Sequence, residues 1–515
     1  MTAAAAGALA PAPIGAWSRR WSWIDDRLNP ILVKEVRQAL RGRYFRNLFW
    51  FTVVAATGIS VLNLLTADGN NSLATVGTSF FHANFTVMAI ATMVFVPFWA
   101  FQSMSGEWEE NTYDLLVISN LRPRQLLIGK ALAAGVQSLL CFSAFAPYLA
   151  STFLMGGVDL WSIFVILGAT VLLSWSLSMI ALAVASFGRS RVARALLAIA
   201  LLTLICLITA GTVKFGEELI RSPENLRSAN FALVAWIFLS IVLLVSVLAL
   251  AVGCARIAHE HENRSTFLRT VVTLNSIVLL GWGAYGAFYS RGFFAPEWLW
   301  FMPAASLSIA MLPLLFFVTE AEPFGRRVVK QVPNSRWRAM LALPFLPGGG
   351  RGMWLYLLTA LLTVGVVMTA MAVGSTPHNR EALLFVAAMF AYGFVTIGLI
   401  SGIASFRIRS LRGRTGVRIA IPMFLILVIV GPTFLGFLLD LGSWTRWRHP
   451  FNPFWVLANI VDGDARDVSP GLALLSVAVV VTLVVNARRL WGSLVETMQA
   501  SAARRRAERS SEAAP

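Results

Sequence analysis

Four groups of residues in this sequence could carry chemistry by type and spacing. The first is acidic: Glu107, Glu109, Glu110 and Asp114 cluster in a polar segment between two long apolar runs. On a helix, Trp108, Thr112, Leu115 and Leu116 share one face, and Glu107, Glu110, Asn111 and Asp114 share the opposite one. That pattern predicts a short acidic amphipathic helix over 107–119, whose carboxylates suit a protein partner better than anionic lipid headgroups. The second group is His259-Glu260-His261-Glu262. Residues two apart point to different sides of a helix and cannot chelate one ion together, so a solvated extension of the preceding span is the better reading and no metal is expected. The third is Gly281-Trp-Gly-Ala-Tyr-Gly286, which matches the dinucleotide fingerprint letter for letter but lies within an apolar run, with no strand before it. Close helix packing is expected there instead, as at Gly398-Leu-Ile-Ser-Gly402. The fourth is Asp440, Asp462, Asp464 and Asp467, which keeps a membrane-embedded transferase open as a reading.

What positions these groups follows from composition. Of 515 residues, 57% are hydrophobic and 13% charged, and the mean hydropathy is +0.71. A bilayer is the solvent that accepts so much apolar surface, its hydrocarbon layer of ~30 Å needing ~20 apolar helical residues. Runs of that length fall at Leu48 to Thr66, Asn84 to Met104, Ala131 to Met155, Trp161 to Phe187, Ala195 to Val213, Ala229 to Ala255, Thr270 to Ser290, Trp298 to Thr319, Met353 to Gly374, Ala382 to Phe406, Ile419 to Leu439 and Val468 to Ala487. None contains Asp, Glu, Lys, Arg or His. Backbone groups in lipid must pair within their own segment, so the expected fold is all-α: a polytopic membrane protein with about twelve transmembrane helices.

The net charge of +17 does not imply nucleic acid, because its distribution has another cause. Alternate connections carry 34 of the 42 Lys and Arg residues, the positive-inside asymmetry that places both termini in the cytoplasm of a cell (inner/cytoplasmic) membrane. Cys141, Cys206 and Cys254 lie in apolar runs, and no disulfide framework is implied. Residues 1–28 read as a flexible cytoplasmic tail and 491–515 as a basic cytoplasmic one, loose from Ser501 to Pro515. Between them lie six spans in 29–265 and six in 266–490, the break falling in the polar stretch from Arg256 to Arg269. Leu346-Pro-Gly-Gly-Gly-Arg-Gly352 reads as a flexible turn.

Ahead of the first span, Asn29-Pro30 opens a helix over 29–46. Leu32, Val33, Val36, Leu40 and Tyr44 recur at helical spacing, with Lys34, Arg37, Gln38 and Arg41 on the other face. Such a helix lies in the headgroup layer.

Coupled carriers commonly hold an ionisable residue at mid-membrane, and no predicted span has one. The sequence also has no G-x-x-x-x-G-K-[ST] loop, its one Gly-Lys pair being Gly129-Lys130. ATP hydrolysis, where it drives the process, must be supplied in trans, and the chain is not expected to be an enzyme.

In this setting the first half resembles the membrane subunit of type-2 ABC exporters. The resemblance covers roughly 29–264 and rests on the interfacial helix, six spans, and an E-x-x-x-x-T-x-x-L-L-like signature: Glu107, Thr112, Leu115 and Leu116, then Arg122-Pro123 and Gly129-Lys130. Asn111 stands where that family often has Gly. Pro147, Gly156-Gly157 and the stretch from Ala181 to Arg191 are further similarities. The resemblance implies that 107–119 is the coupling helix on a cytoplasmic ABC ATPase, with Glu107, Glu110 and Asp114 facing that partner. Trp108, Leu115 and Leu116 would then pack on the span ends. It also implies that ATP and Mg bind the partner and no cofactor binds this chain directly, and it leaves room for a second permease copy or a paralogue. The other readings are a stand-alone secondary transporter and a membrane-embedded transferase or scaffold.

Overall fold

The computed structural model describes residues 30–66, 72–109, 123–188, 190–258, 263–289, 298–318, 320, 326–373, 379–405, 452–462 and 469–512. Among these the regular structure is entirely helical, and ten helices are long and apolar enough to cross a membrane. The protein is an all-α polytopic membrane protein. Two compact units divide after Ile257.

In the first unit, α1 (Pro30–Arg41) is followed by α2 (Arg43–Leu65), so residues 43–46 belong to the first span and not to the expected interfacial helix. Gly42 marks the break in extended backbone. The second span is longer than its apolar run: α3 (Leu73–Ala89) passes through a π segment (Ile90–Phe95) into α4 (Val96–Glu109). Then come α5 (Pro123–Leu154), α6 (Leu160–Ala185), α7 (Arg191–Arg221) and α8 (Ala229–Ile257). At ~1.5 Å per residue, the 32 residues of α5 extend ~48 Å, well beyond a ~30 Å hydrocarbon layer.

Buried polar side chains inside these helices bond to their own backbone or across to a neighbour, as at Thr170 and Asn84. The buried Asn84 amide donates to Ser60 Oγ (3.1 Å) and Phe80 O (3.0 Å). The π segment has a local cause. Pro97 follows it without an N–H to give the ladder, and Ser174 Oγ of α6 donates instead to Thr92 O at 2.7 Å. Ser138 of α5 shares that hydroxyl network at 2.9 Å. Apolar residues on α7, including Val192, Leu196, Ile199, Leu207 and Phe215, point outward, the arrangement expected of a helix solvated by lipid.

The second unit contains α9 (Thr266–Tyr289), α10 (Trp298–Val318), α11 (Arg336–Ala342), α12 (Gly349–Val373), α13 (Asn379–Ser405), α14 (Pro453–Val461) and α15 (Ser469–Glu512). The expected span Ile419 to Leu439 lies outside the described residues, as do residues 1–28 and the 259–262 run.

Two expectations need correction. Residues 501–512 are no loose tail, because they complete the 44-residue α15. Their Ala-, Arg- and Glu-rich composition favours helix, and Arg504 donates to Lys330 O and Val332 O, each at 2.7 Å. The 346–352 glycines are not a flexible turn. Gly348 takes φ +134°, and Gly349 to Gly352 form the first turn of α12, where a Cβ on Gly350 would lie 2.8 Å from Arg489 O and one on Gly352 2.7 Å from Phe317 Cβ. Of the Gly281–Gly286 stretch, Gly281 faces open space while Gly283 and Gly286 are buried, and Gly398 approaches Thr482 closely.

One turn tests how the first unit is assembled. A Cβ at Gly157 would sit 2.4 Å from Ala74 O, while one at Gly58 would meet open space. Gly157→Ala is therefore expected to lower stability by about 1–3 kcal/mol and Gly58→Ala to leave it nearly unchanged. Thermal unfolding of the purified variants in detergent measures the contrast.

Candidate functional site

The acidic segment is flanked by Glu107 near the end of α4 and by Lys130 about two turns into α5, and these flanks meet. Lys130 Nζ donates to Glu35 Oε1 (2.7 Å), Ser103 Oγ (2.7 Å) and Glu107 Oε1 (2.9 Å). The Lys130 side chain is only 2% exposed, and those of Glu35 and Glu107 are 13% and 11%. Three close acceptors use the three N–H bonds of an ammonium, which is what withdrawing it from water demands.

Each member is placed by local structure. Glu35 lies on the inward face of α1 with Ile31 and Ala39, spaced four apart, and both of those are buried. Lys34, Arg37 and Arg41 are exposed, as an interfacial helix requires, while Leu40 of the expected apolar face is 48% exposed. Tyr44 stacks on Trp99 at 4.6 Å, fixing the α1–α2 corner against α4. Ser103 and Glu107 are one helical turn apart on α4 and present a hydroxyl and a carboxylate to one cation.

This arrangement corrects the reading of Glu107. Residues 107–109 continue the second span and do not begin a separate helix, so the carboxylate turns inward to Lys130 rather than outward to a partner. Glu109 carries the exposed charge at this end, and it accepts from Arg194 Nη2 of α7 at 2.7 Å. The side chain of Trp108 and residues Glu110, Asn111, Thr112, Asp114, Leu115 and Leu116 lie outside the described residues. Both ends of their segment are nonetheless fixed: one ion cluster joins α1, α4 and α5, and a second pair adds α7.

The second unit uses the same chemistry at a comparable place. Arg269 of α9 is fully buried and donates to Glu320 Oε2 (2.8 Å), Gly348 O (2.9 Å) and Pro344 O (3.1 Å), with its guanidinium 4.7 Å from the Phe317 ring centre. Gly348 N also donates to Glu320 Oε2 at 2.9 Å. Arg351 of α12, equally buried, donates to Glu496 Oε2 (2.8 Å), Pro347 O (2.8 Å) and Thr497 Oγ1 (3.0 Å). Lys130 and Arg351 each stand just before the third apolar run of their unit, and Glu107 and Glu320 just after the second.

No motif in the sequence singles out Glu35, Ser103, Arg269, Glu320, Arg351 or Glu496 as a site, and Lys130 enters one only through the Gly129-Lys130 pair. Two signals were present: Glu35 is the one acid in a basic helix, and Lys130 and Arg351 each abut an apolar run. Among the described residues, no three His, Cys, Asp or Glu side chains gather as a metal-ligand set.

Removing the ammonium strands two buried carboxylates, so Lys130→Met is expected to destabilise the protein by about 3–5 kcal/mol. The triple change Lys130→Met, Glu35→Gln and Glu107→Gln should recover part of that loss, because it removes the stranded charges. Unfolding of the single and triple variants in detergent, read as a mutant cycle, checks the coupling; additive losses contradict it.

The chain matches no protein-family model, no curated protein and no solved structure in comparisons of its sequence and fold.

Proposed function

We propose that this chain is the membrane-spanning permease subunit of an ATP-driven ABC transporter, acting as an exporter, with ATP and Mg handled by a separate cytoplasmic ATPase. The observation that supports the reading best is the Lys130 cluster. It ties the amphipathic helix α1 to both flanks of the acidic segment 110–122, so force applied there reaches α1, α4 and α5 together. Glu109 and Arg194 extend the linkage to α7.

Work enters this scheme from outside the membrane, because the predicted spans hold no ionisable residue and the sequence has no phosphate-binding loop of its own. ATP binding closes two ATPase subunits, and the partner's differential affinity for two arrangements of the acidic segment shifts the spans between them. The π segment of the second span, where one carbonyl is served by Ser174 and not by the helix ladder, gives that span a place to bend.

Asp114→Arg reverses charge on the segment assigned to the partner. It is expected to abolish stimulation of the ATPase and co-purification with it, while membrane insertion stays normal. Unchanged coupling in that variant contradicts the assignment. Uphill cargo movement by the chain alone in liposomes contradicts the wider proposal.

A further inference from the structure

Hydroxyls inside the spans of the second unit follow a rule that two of them break. A serine or threonine on a membrane helix ordinarily folds back on its own backbone. Thr273 donates to Arg269 O at 3.0 Å, Thr359 to Tyr356 O at 2.8 Å and Thr363 to Thr359 O at 2.7 Å. Ser276 of α9 and Ser306 of α10 are fully buried, yet neither hydroxyl has a hydrogen-bond partner among the described residues. Asn275, next to Ser276 and 1% exposed, has no such partner for its amide nitrogen or for its oxygen. That side chain alone brings two N–H bonds and a carbonyl acceptor into the interior.

The contact between Arg269 and Phe317 fixes where the two hydroxyls point. Its guanidinium lies 4.7 Å from the ring centre, so these side chains mark the faces on which α9 and α10 pack together. Ser276 stands seven residues beyond Arg269, about two helical turns, and Ser306 stands eleven residues before Phe317, about three turns. Both therefore look into the α9–α10 seam. At ~1.5 Å per residue, Ser276 lies ~10 Å and Ser306 ~16 Å from that contact, deep inside a hydrocarbon layer of ~30 Å. Ala310, two turns before Phe317 on the same face and buried, brings only a methyl group to the level of Ser276. Along the seam the hydroxyls are ~6 Å apart, beyond one hydrogen bond and about the reach of two in series.

We infer that Asn275, Ser276 and Ser306 form a mid-membrane binding site for an uncharged hydroxyl ligand, and that water is its occupant in the closed seam. The inference stands apart from the permease reading. An amide and two hydroxyls offer donors and acceptors but no charge, and neither Thr270 to Ser290 nor Trp298 to Thr319 contains a charged residue. An ion entering here would lose its hydration shell without compensation. Water donates and accepts at once, and a buried water makes about three bonds to groups of this kind. Leu279 and Leu280, one turn on from Asn275 and Ser276, are buried beside the site and supply its apolar wall.

The test is X-ray radiolytic labelling of the purified full chain in detergent and heavy-oxygen water, in which ionised water marks the side chains it touches. Leu279 and Leu280 are the reporters. Leu201, as buried as Leu280 at 3% and set in an apolar core of the first unit, is the control. The expected result is heavy oxygen in both reporters and none in Leu201, with the label lost from the reporters in Ser276→Ala with Ser306→Ala. Unlabelled reporters in the wild-type chain, labelling of Leu201 to the same extent, or label that persists in the double variant overturns the inference. Thermal unfolding of Asn275→Leu gives a second reading: a hydrated amide predicts a lower midpoint, because bound water loses its partners, whereas a dry one predicts a higher midpoint. A rise overturns the inference.

Discussion

Lys130 stands immediately before an apolar run, and its ammonium is met by two carboxylates and a hydroxyl instead of by water. A cation so placed leaves little freedom to the elements around it, since moving any one partner strands a buried charge. The cluster therefore sets how α1 lies against α4 and α5. Arg269 and Arg351 impose the same constraint on the second unit, where carbonyls from Pro344, Pro347 and Gly348 join Glu320 and Glu496 around two guanidinium groups. In both units, the charges gather at the ends of spans and the hydroxyls and amides within them. That division follows from solvent: hydroxyls can pair with a neighbouring carbonyl in hydrocarbon at modest expense, whereas charges need several partners at once.

The spans were legible in the sequence because membrane helices announce themselves by composition over a local window, and no knowledge of neighbours is needed. The ion clusters were not, because their members are distant: Glu35 and Lys130 are 95 positions apart. Glu107 was misread for a more specific reason. A helical wheel begun at residue 107 assigns faces to a free-standing helix, but α4 runs on through Glu109, so its phase is inherited from the span and carries Glu107 inward. The C-terminal residues were read as loose because they are polar, yet polarity decides solvent exposure and not helicity. Ala500 and Ser501 pack or bond inward while Arg506 and Arg509 face out.

The glycines of 348–352 show the same limit from the other side. As a string they signal a break, and Gly348 does leave the helical region. What the string could not reveal is that the next residues face Arg489, Ser493 and Phe317 at distances no Cβ would tolerate. Small residues there admit a close approach that brings Arg351 within reach of Glu496, so the turn and the buried ion pair are one device.

The two halves share a placement of charges rather than a motif. The second half lacks a Thr and paired Leu at the offsets of the first, and by motif the two loops look unrelated. Yet a buried cation opens the third apolar run in both units, and a buried or half-buried carboxylate closes the second. The pairings differ: Lys130 holds Glu107 directly, whereas Arg351 reaches α15 and Glu320 is taken by Arg269. The position of the charges is common to both halves, and the choice of partner is not. Lys130 ties its span end to α1 and α4, whereas Arg351 ties its span end to the long C-terminal helix. Two halves built this way anchor corresponding span ends to different helices, and the asymmetry requires no difference in the spans themselves.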